Sequence, residues 1–297
     1  MARSISICNL FLPASLVIAL LTTAPATRAQ STTPPPTPAQ HNLPTDQPLN
    51  PNLPTVFVVG DSTARNNTDL GWGDHFAHLF DTSRINVANR AIAGRSSRTY
   101  ITEGHWAQTL AQIKPGDFVL FQLGHNDGGA LDGPKPRGSI KGIGDETQQL
   151  PQTAGPFAGQ VETVHTYGWY MRKMIDETRA KGAFPILLTL TVRNIWKPCP
   201  AGTHNSAGQP NCIERDMGYT SYLKQLAAEE KIPLIDMSDI AADRFEALGE
   251  SKTAELFPKD HTHTSPEGAE LNAESVAEAL RRAHSPVANY LKPQTKP

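Results

Sequence analysis

The feature that most limits the fold of this chain is a set of short, wholly apolar runs separated by segments of helical periodicity. "TVFVVG" (55–60), "RINVANRA", "DFVLFQLG" (117–124), "FPILLTL" (184–190) and "IPLIDM" read as five strands. Between them, Trp72, Phe76, Leu79 and Phe80 recur at helical spacing. Val164, Tyr167, Met171, Met174, Ile175 and Thr178 mark a long helix running to Lys181, and another helix is expected over 216–230. Strands that alternate with helices pair in parallel, because each helix carries the chain back across the sheet. The runs are apolar throughout, as strands are when helices cover both faces. The expectation is therefore an α/β fold: an open three-layer α/β/α sandwich around a five-stranded parallel sheet, in the order 2-1-3-4-5. Ligands of such sheets bind beyond the carboxyl ends of the strands, so functional side chains should follow strands directly.

The flanks carry no core. Arg3, the run "LFLPASLVIALL" and the small residues around Ala29 read as a removable secretion signal over 1–29, with Ala26 as a second cleavage point. Residues 30–54 are rich in proline and poor in large apolar groups, so they read as a disordered tether. A single catalytic domain is expected over 55–290, long enough to bury a sizeable core. The 27 basic and 29 acidic residues leave a formal charge of -2, which provides no basic field for nucleic acid. In an exported chain, Cys199 and Cys212 are expected to form a disulfide.

Polar clusters fall where the carboxyl-end rule places them. "GDS" follows the first strand and sets the Ser62 hydroxyl at the rim of the sheet. "NRAIAGRSS" follows the second, where Gly94 can present a bare N–H at close range. "GHND" follows the third: Asn126 has two amide donors suited to an oxyanion, while His125 and Asp127 read equally well as loop groups satisfying backbone. "DHTH" precedes the last helix, with Ser265 as N-cap and Pro266 as first helical residue. Asp260 and His263 are three apart, so a turn can fold the carboxylate onto the imidazole and fix its tautomer, with His261 directed elsewhere. Taken singly, each cluster is also readable as a turn, cap or loop. Asp260, His261, His263 and His125 are open to a metal reading as well, for phosphoester hydrolysis. The G-x-S-x-G elbow is not present, since Ala64 stands at the second glycine.

Together these blocks resemble those of the SGNH (GDSL-type) hydrolases, a flavodoxin-like family of serine esterases. "NRAIAGRSSRTYITEG", "FQLGHNDGG", "ETVHTYGWYMRKMI" and "FPKDHTHTSPEGAE" are further similar to the rhamnogalacturonan acetylesterases, which remove acetyl groups from the pectin backbone. The resemblance runs from residue 55 to residue 285. It implies Ser62 as nucleophile, His263 as base and Asp260 as the acid that orients it. The Ser62 and Gly94 backbone N–H groups and the Asn126 side chain would form the oxyanion hole. It further implies a secreted monomer that needs neither metal nor other cofactor and acts on an acetylated polysaccharide. No nucleic-acid partner is expected, and no membrane once the signal is removed. Arg95 and Arg98 follow Gly94 and can pair with galacturonate carboxylates. Trp72 reads as core and Trp196 as a sugar contact. The alternatives are a xylan or other carbohydrate acetylesterase, a lipase-like enzyme, a metal-dependent phosphoesterase and a non-catalytic carbohydrate-binding protein.

Overall fold

The computed structural model describes residues 48–67 and 69–293. The expected signal and most of the expected tether lie outside them. Five strands form the central sheet: β1 (Thr55–Gly60), β2 (Asn86–Asn89), β3 (Phe118–Gln122), β4 (Phe184–Leu188) and β5 (Leu234–Ile235). All neighbours are parallel and the order is β2-β1-β3-β4-β5, as expected. The helices are α1 (Ser97–Thr102), α2 (His105–Leu110), α3 (Tyr167–Ala180), α4 (Thr220–Glu230), α5 (Met237–Leu248), α6 (Glu250–Glu255) and α7 (Pro266–Arg282).

Alternate residues of each strand feed two separate cores, which is why the strands read as unbroken apolar runs. Val56, Val58, Leu120, Ile186 and Leu188 pack with Phe245 of α5 and Val276 and Leu280 of α7. Phe57, Val59, Val119, Phe121 and Leu187 pack on the other face, with Met171, Met174 and Ile175 of α3 and Leu223 of α4. Each such side chain removed from water contributes about 1.5–3 kcal/mol, so a polar residue on either face would weaken the sheet. Among the described residues no helix is long and apolar enough to cross a membrane.

Two stretches depart from the sequence reading. The helical spacing over 72–80 produces two short 3₁₀ turns, Trp72–Asp74 and Ala77–Leu79, and no α-helix. The backbone at the start of this stretch is fastened to the turn after β1: Trp72 N–H donates to the Thr63 carbonyl at 3.0 Å and Gly73 N–H to that of Ala64 at 2.9 Å. Glycine is required at 71, since a Cβ there would lie 2.4 Å from the Ala64 carbonyl carbon. The spacing thus serves burial, with Trp72, Phe76 and Phe80 fully enclosed, while the backbone braces the loop after β1. Val164, read as part of the long helix, sits in an antiparallel hairpin of Thr147–Pro151 with Val161–His165. Thr166 then caps α3, its Oγ1 accepting Trp169 N–H at 3.1 Å.

A second hairpin pairs Trp196–Pro198 with Asn211–Ile213 and carries the Cys199–Cys212 disulfide at a Cα separation of 4.9 Å. Asn50, within the stretch read as tether, exchanges two 2.9 Å hydrogen bonds with the Asn86 side chain. Lys114 Nζ donates to the Leu53 carbonyl at 2.7 Å.

Candidate active site

The turn after β1 is built by Asp61. Its carbonyl accepts the N–H groups of Ala64 at 3.1 Å and Arg65 at 3.0 Å, while its carboxylate accepts Thr63 N–H at 2.9 Å. Ser62, in the middle, is half-buried at the end of the sheet. Gln122, the last residue of β3, ties this turn to its surroundings: its Oε1 accepts from Trp72 Nε1 at 2.6 Å and its Nε2 donates to the Thr189 carbonyl at 2.9 Å. Neither Gln122 nor its bond to Trp72 was read from sequence, where it is one polar letter inside an apolar run.

Asp260 and His263 meet Ser62 from the far end of the chain. His263 Nε2 lies 2.9 Å from Ser62 Oγ, and His263 Nδ1 lies 2.8 Å from Asp260 Oδ2. A carboxylate only accepts, so Nδ1 carries the ring proton and Nε2 is left to accept from the serine hydroxyl. Asp260 Oδ1 also accepts the backbone N–H groups of Thr262 at 2.7 Å and His263 at 2.8 Å. Partial burial pushes this carboxyl upward, but the bonds from the His263 ring, the His263 backbone and the Thr262 backbone outweigh it and hold it at about 2. The loop is pinned by α7: Ser265 Oγ caps it by accepting Gly268 N–H at 3.3 Å, and Pro266 opens it. His261 is exposed, and its carbonyl accepts Asn194 N–H at 2.8 Å.

The three expected oxyanion donors are the backbone N–H groups of Ser62 and Gly94 and the side chain of Asn126. Gly94 has φ +78°, a left-handed conformation that a side chain would strain. Among the described residues, no acceptor takes the backbone N–H of Ser62 or of Gly94. Asn126 Nδ2 donates one hydrogen to the Arg95 carbonyl at 3.0 Å, which fixes the amide against the Gly94 loop and leaves its second hydrogen available. Asp127, buried, accepts from Ser97 N–H, Ser97 Oγ and Ser139 Oγ, so it locks the start of α1 to the loop after β3. Burial pushes its carboxyl up to about 6 despite those donors. On sequence alone Asp127 read equally as a loop polar group; its place in "GHND" was the signal.

Other sequence-derived candidates stand apart. Arg98 is buried at 1% exposure and pairs with Glu162, with its Nη1 donating to the carbonyls of Leu131 and Gly138. Arg95 Nε donates to Glu103 at 2.7 Å. The Arg98 charge is spent inside the protein, which corrects the reading of it as a sugar-carboxylate contact, whereas Arg95 stays partly exposed beside Glu103. Trp196 is half-buried against the core, its Nε1 donating to Asn194 at 2.8 Å, and Trp72 is fully enclosed. Burial pushes His125 down to about 4, so at neutral pH it is an uncharged neighbour of the site, its Nε2 3.0 Å from Thr191 Oγ1. Among the described residues no three His, Cys, Asp or Glu side chains converge as a metal-ligand set. Asp260's oxygens face the His263 ring and backbone, a donor arrangement that suits orientation of an imidazole.

A proton acceptor held against a serine hydroxyl, beside unspent N–H donors, is the arrangement that acyl transfer requires. Comparison with known proteins agrees. A rhamnogalacturonan acetylesterase of Emericella nidulans is 34% identical over 226 residues, covering 76% of this chain and 84% of that protein. One from Bacillus subtilis is 28% identical over 256 residues, covering 80% and 93%. The crystal structure of the Bacillus subtilis protein YxiM superposes with a TM-score of 0.59 at 28% identity, over 82% of this chain and 59% of that longer one. Residues 58–271 match the model of the GDSL-like lipase/acylhydrolase family, the stretch that holds Ser62, Gly94, Asn126, Asp260 and His263, and the chain belongs to that family.

Proposed function

We propose that this protein is a serine carbohydrate esterase that removes acetyl groups from acetylated rhamnogalacturonan. The single observation that carries the chemistry is the hydrogen-bonded succession Ser62–His263–Asp260, at 2.9 and 2.8 Å, contributed by residues 201 positions apart. The names of the relatives from Emericella nidulans and Bacillus subtilis support the choice of substrate.

His263 Nε2 takes the Ser62 proton as Oγ attacks the acetyl carbonyl, because a serine hydroxyl is a poor nucleophile without an adjacent base. Asp260 keeps the imidazole in the required tautomer and stabilises its charged form. Charge growing on the carbonyl oxygen meets the Ser62 and Gly94 N–H groups and the free Asn126 hydrogen. Departure of the sugar hydroxyl takes the proton back from His263, leaving an acetyl-serine ester. Water, activated by the same imidazole, releases acetate. We further propose that the protein is exported and acts as a monomer; the Cys199–Cys212 disulfide supports the export, since such bonds persist in oxidising compartments.

The test is acetate release from acetylated rhamnogalacturonan beside acetylated xylan, wild type against Ser62→Ala. Release from the first polymer, lost in the variant, is expected. Faster release from xylan overturns the substrate assignment and leaves the esterase chemistry standing.

A further inference from the structure

Two half-buried arginines at the rim of the site, Arg137 and Arg193, have no ion-pair partner among the described residues, in contrast to their neighbours. Arg95 and Arg98 each pair with a glutamate, whereas Arg137 and Arg193 form no ion pair with any described carboxylate. Arg137 Nη1 lies 3.8 Å from the position that a Cβ on Gly94 would take, beside one of the N–H donors of the oxyanion hole. The residue is placed there by construction. Its loop returns to the site through Gly138 N–H to the Ala130 carbonyl at 2.8 Å and Ser139 N–H to the Asp127 carbonyl at 3.0 Å. Buried Arg98 holds the same loop from below through the Leu131 and Gly138 carbonyls. The Arg137 stem crosses Gly129, where a Cβ would lie 3.0 Å from its Cγ, so a bare backbone at 129 is what lets it pass.

Arg193 follows β4, on the other side of β1 and β3. Its Nη2 lies 3.5 Å from His125 Nδ1, and its Nε is buried with no partner. The next residue, Asn194, donates its N–H to the His261 carbonyl, which ties Arg193 to the loop of Asp260 and His263. Half-buried guanidinium groups are rarely left without an anion, and their planar forks match carboxylates. Arg137, beside Gly94 of the loop after β2, and Arg193, beside His125 and following β4, point to a ligand that carries negative charge on both sides of the reacting ester.

We propose that Arg137 and Arg193 bind carboxylates of an acidic saccharide, and so select an acetylated chain in which uronic acids recur close to the reacting ester. This rests on the esterase reading above and assigns the determinant of its substrate class.

The experiment compares acetylated rhamnogalacturonan with the same polymer methyl-esterified at its carboxylates, which removes charge and keeps sugars and acetyl groups. The readout is the ratio of kcat/KM for acetate release from the ionised and esterified forms, with folding followed by thermal unfolding. Wild type is expected to prefer the ionised form by about tenfold or more, the scale of one charge-assisted hydrogen bond. Added salt should erode that preference. Arg137→Gln and Arg193→Gln should each bring the ratio several-fold closer to one, and Arg137→Lys should restore part of it. A wild-type ratio near one overturns the proposal, as does an equal loss on both forms in Arg137→Gln, which would make Arg137 part of the oxyanion field. Absence of acetate release from either form by wild type sinks the substrate reading itself, a different and recognisable result.

Discussion

Asp260 grips His263 at two points: one carboxylate oxygen accepts its backbone N–H and the other its ring Nδ1–H, both at 2.8 Å. Ring orientation and loop shape are therefore set by the same group. Asp260→Asn replaces an acceptor by a donor and forces either the wrong tautomer or a turned ring. A loss of about 10⁴ in kcat is expected, the scale seen when this exchange is made in serine hydrolases. Because the Asp260 carboxyl is held at about 2, it stays ionised wherever the imidazole can act as base. The pH profile of kcat/KM should accordingly show no limb from Asp260 at or above pH 4, roughly two units above that value. A variant within tenfold of wild type would remove Asp260 from the triad.

Asn126 makes a structural bond with one amide hydrogen and leaves the other for the reaction. Asn126→Ala should lower kcat by about 10²–10³ while KM changes little, since the donor matters only once charge appears on the acetyl oxygen. The lost bond to the Arg95 carbonyl should weaken the fold by only about 1 kcal/mol. Asn126→Asp should be worse than alanine, because a carboxylate there repels the oxyanion. Steady-state kinetics beside a melting curve separate the two effects. Unchanged turnover in Asn126→Ala would exclude the side chain from the oxyanion hole.

The central sheet and the residues gathered at its carboxyl ends were legible in the sequence, the segments between them less so, and the reason is physical. Ser62, Gly94, Asn126 and the Asp260–His263 pair each follow a local rule about strand ends, turns and caps, so their neighbours in sequence betray them. The hairpin Thr147–Pro151/Val161–His165 does not. Its first strand is largely exposed, and Val161 is 62% exposed, so neither strand shows a buried run. Arg98 looked free because its partner, Glu162, is 64 residues away. The stretch over 72–80 had the correct period for burial, yet Trp72 and Gly73 give their N–H groups to the Ser62 turn. Pattern reports which side chains are buried; it does not report where backbone donors go.

Asp127 provides a pH-dependent test of the frame. Burial raises its carboxyl from an ordinary value of 3.8 to about 6, so the folded state favours the protonated form. Its contribution to stability is then fully present below pH 3.8 and is lost as pH rises through about 6. The gap corresponds to roughly 3 kcal/mol across that window, to order of magnitude. Denaturant midpoints measured at pH 4, 5, 6 and 7 should fall for wild type relative to Asp127→Asn, which cannot titrate. Parallel curves for the two proteins would show that the bonds from Ser97 and Ser139 keep this carboxyl ionised throughout.

The ion pair between Arg98 and Glu162 separates support from recognition. At 1% and 5% exposure both groups are out of water, and Arg98 Nε donates to Glu162 Oε1 at 2.9 Å. Arg98 also holds the Leu131 and Gly138 carbonyls, so it fastens the loop after "GHND" to the second strand of the hairpin, Val161–His165. Removing one partner strands a buried charge, at about 3–5 kcal/mol. Arg98→Met should therefore lower the unfolding free energy by that amount, and Arg98→Met with Glu162→Leu should recover much of it, because neither charge is then left unpaired. Loss of activity in Arg98→Met should track loss of folded protein. Were the single variant destabilised by less than about 1 kcal/mol, the scale of an exposed pair, with KM for the polymer raised, Arg98 would be a substrate contact and its bond to Glu162 incidental.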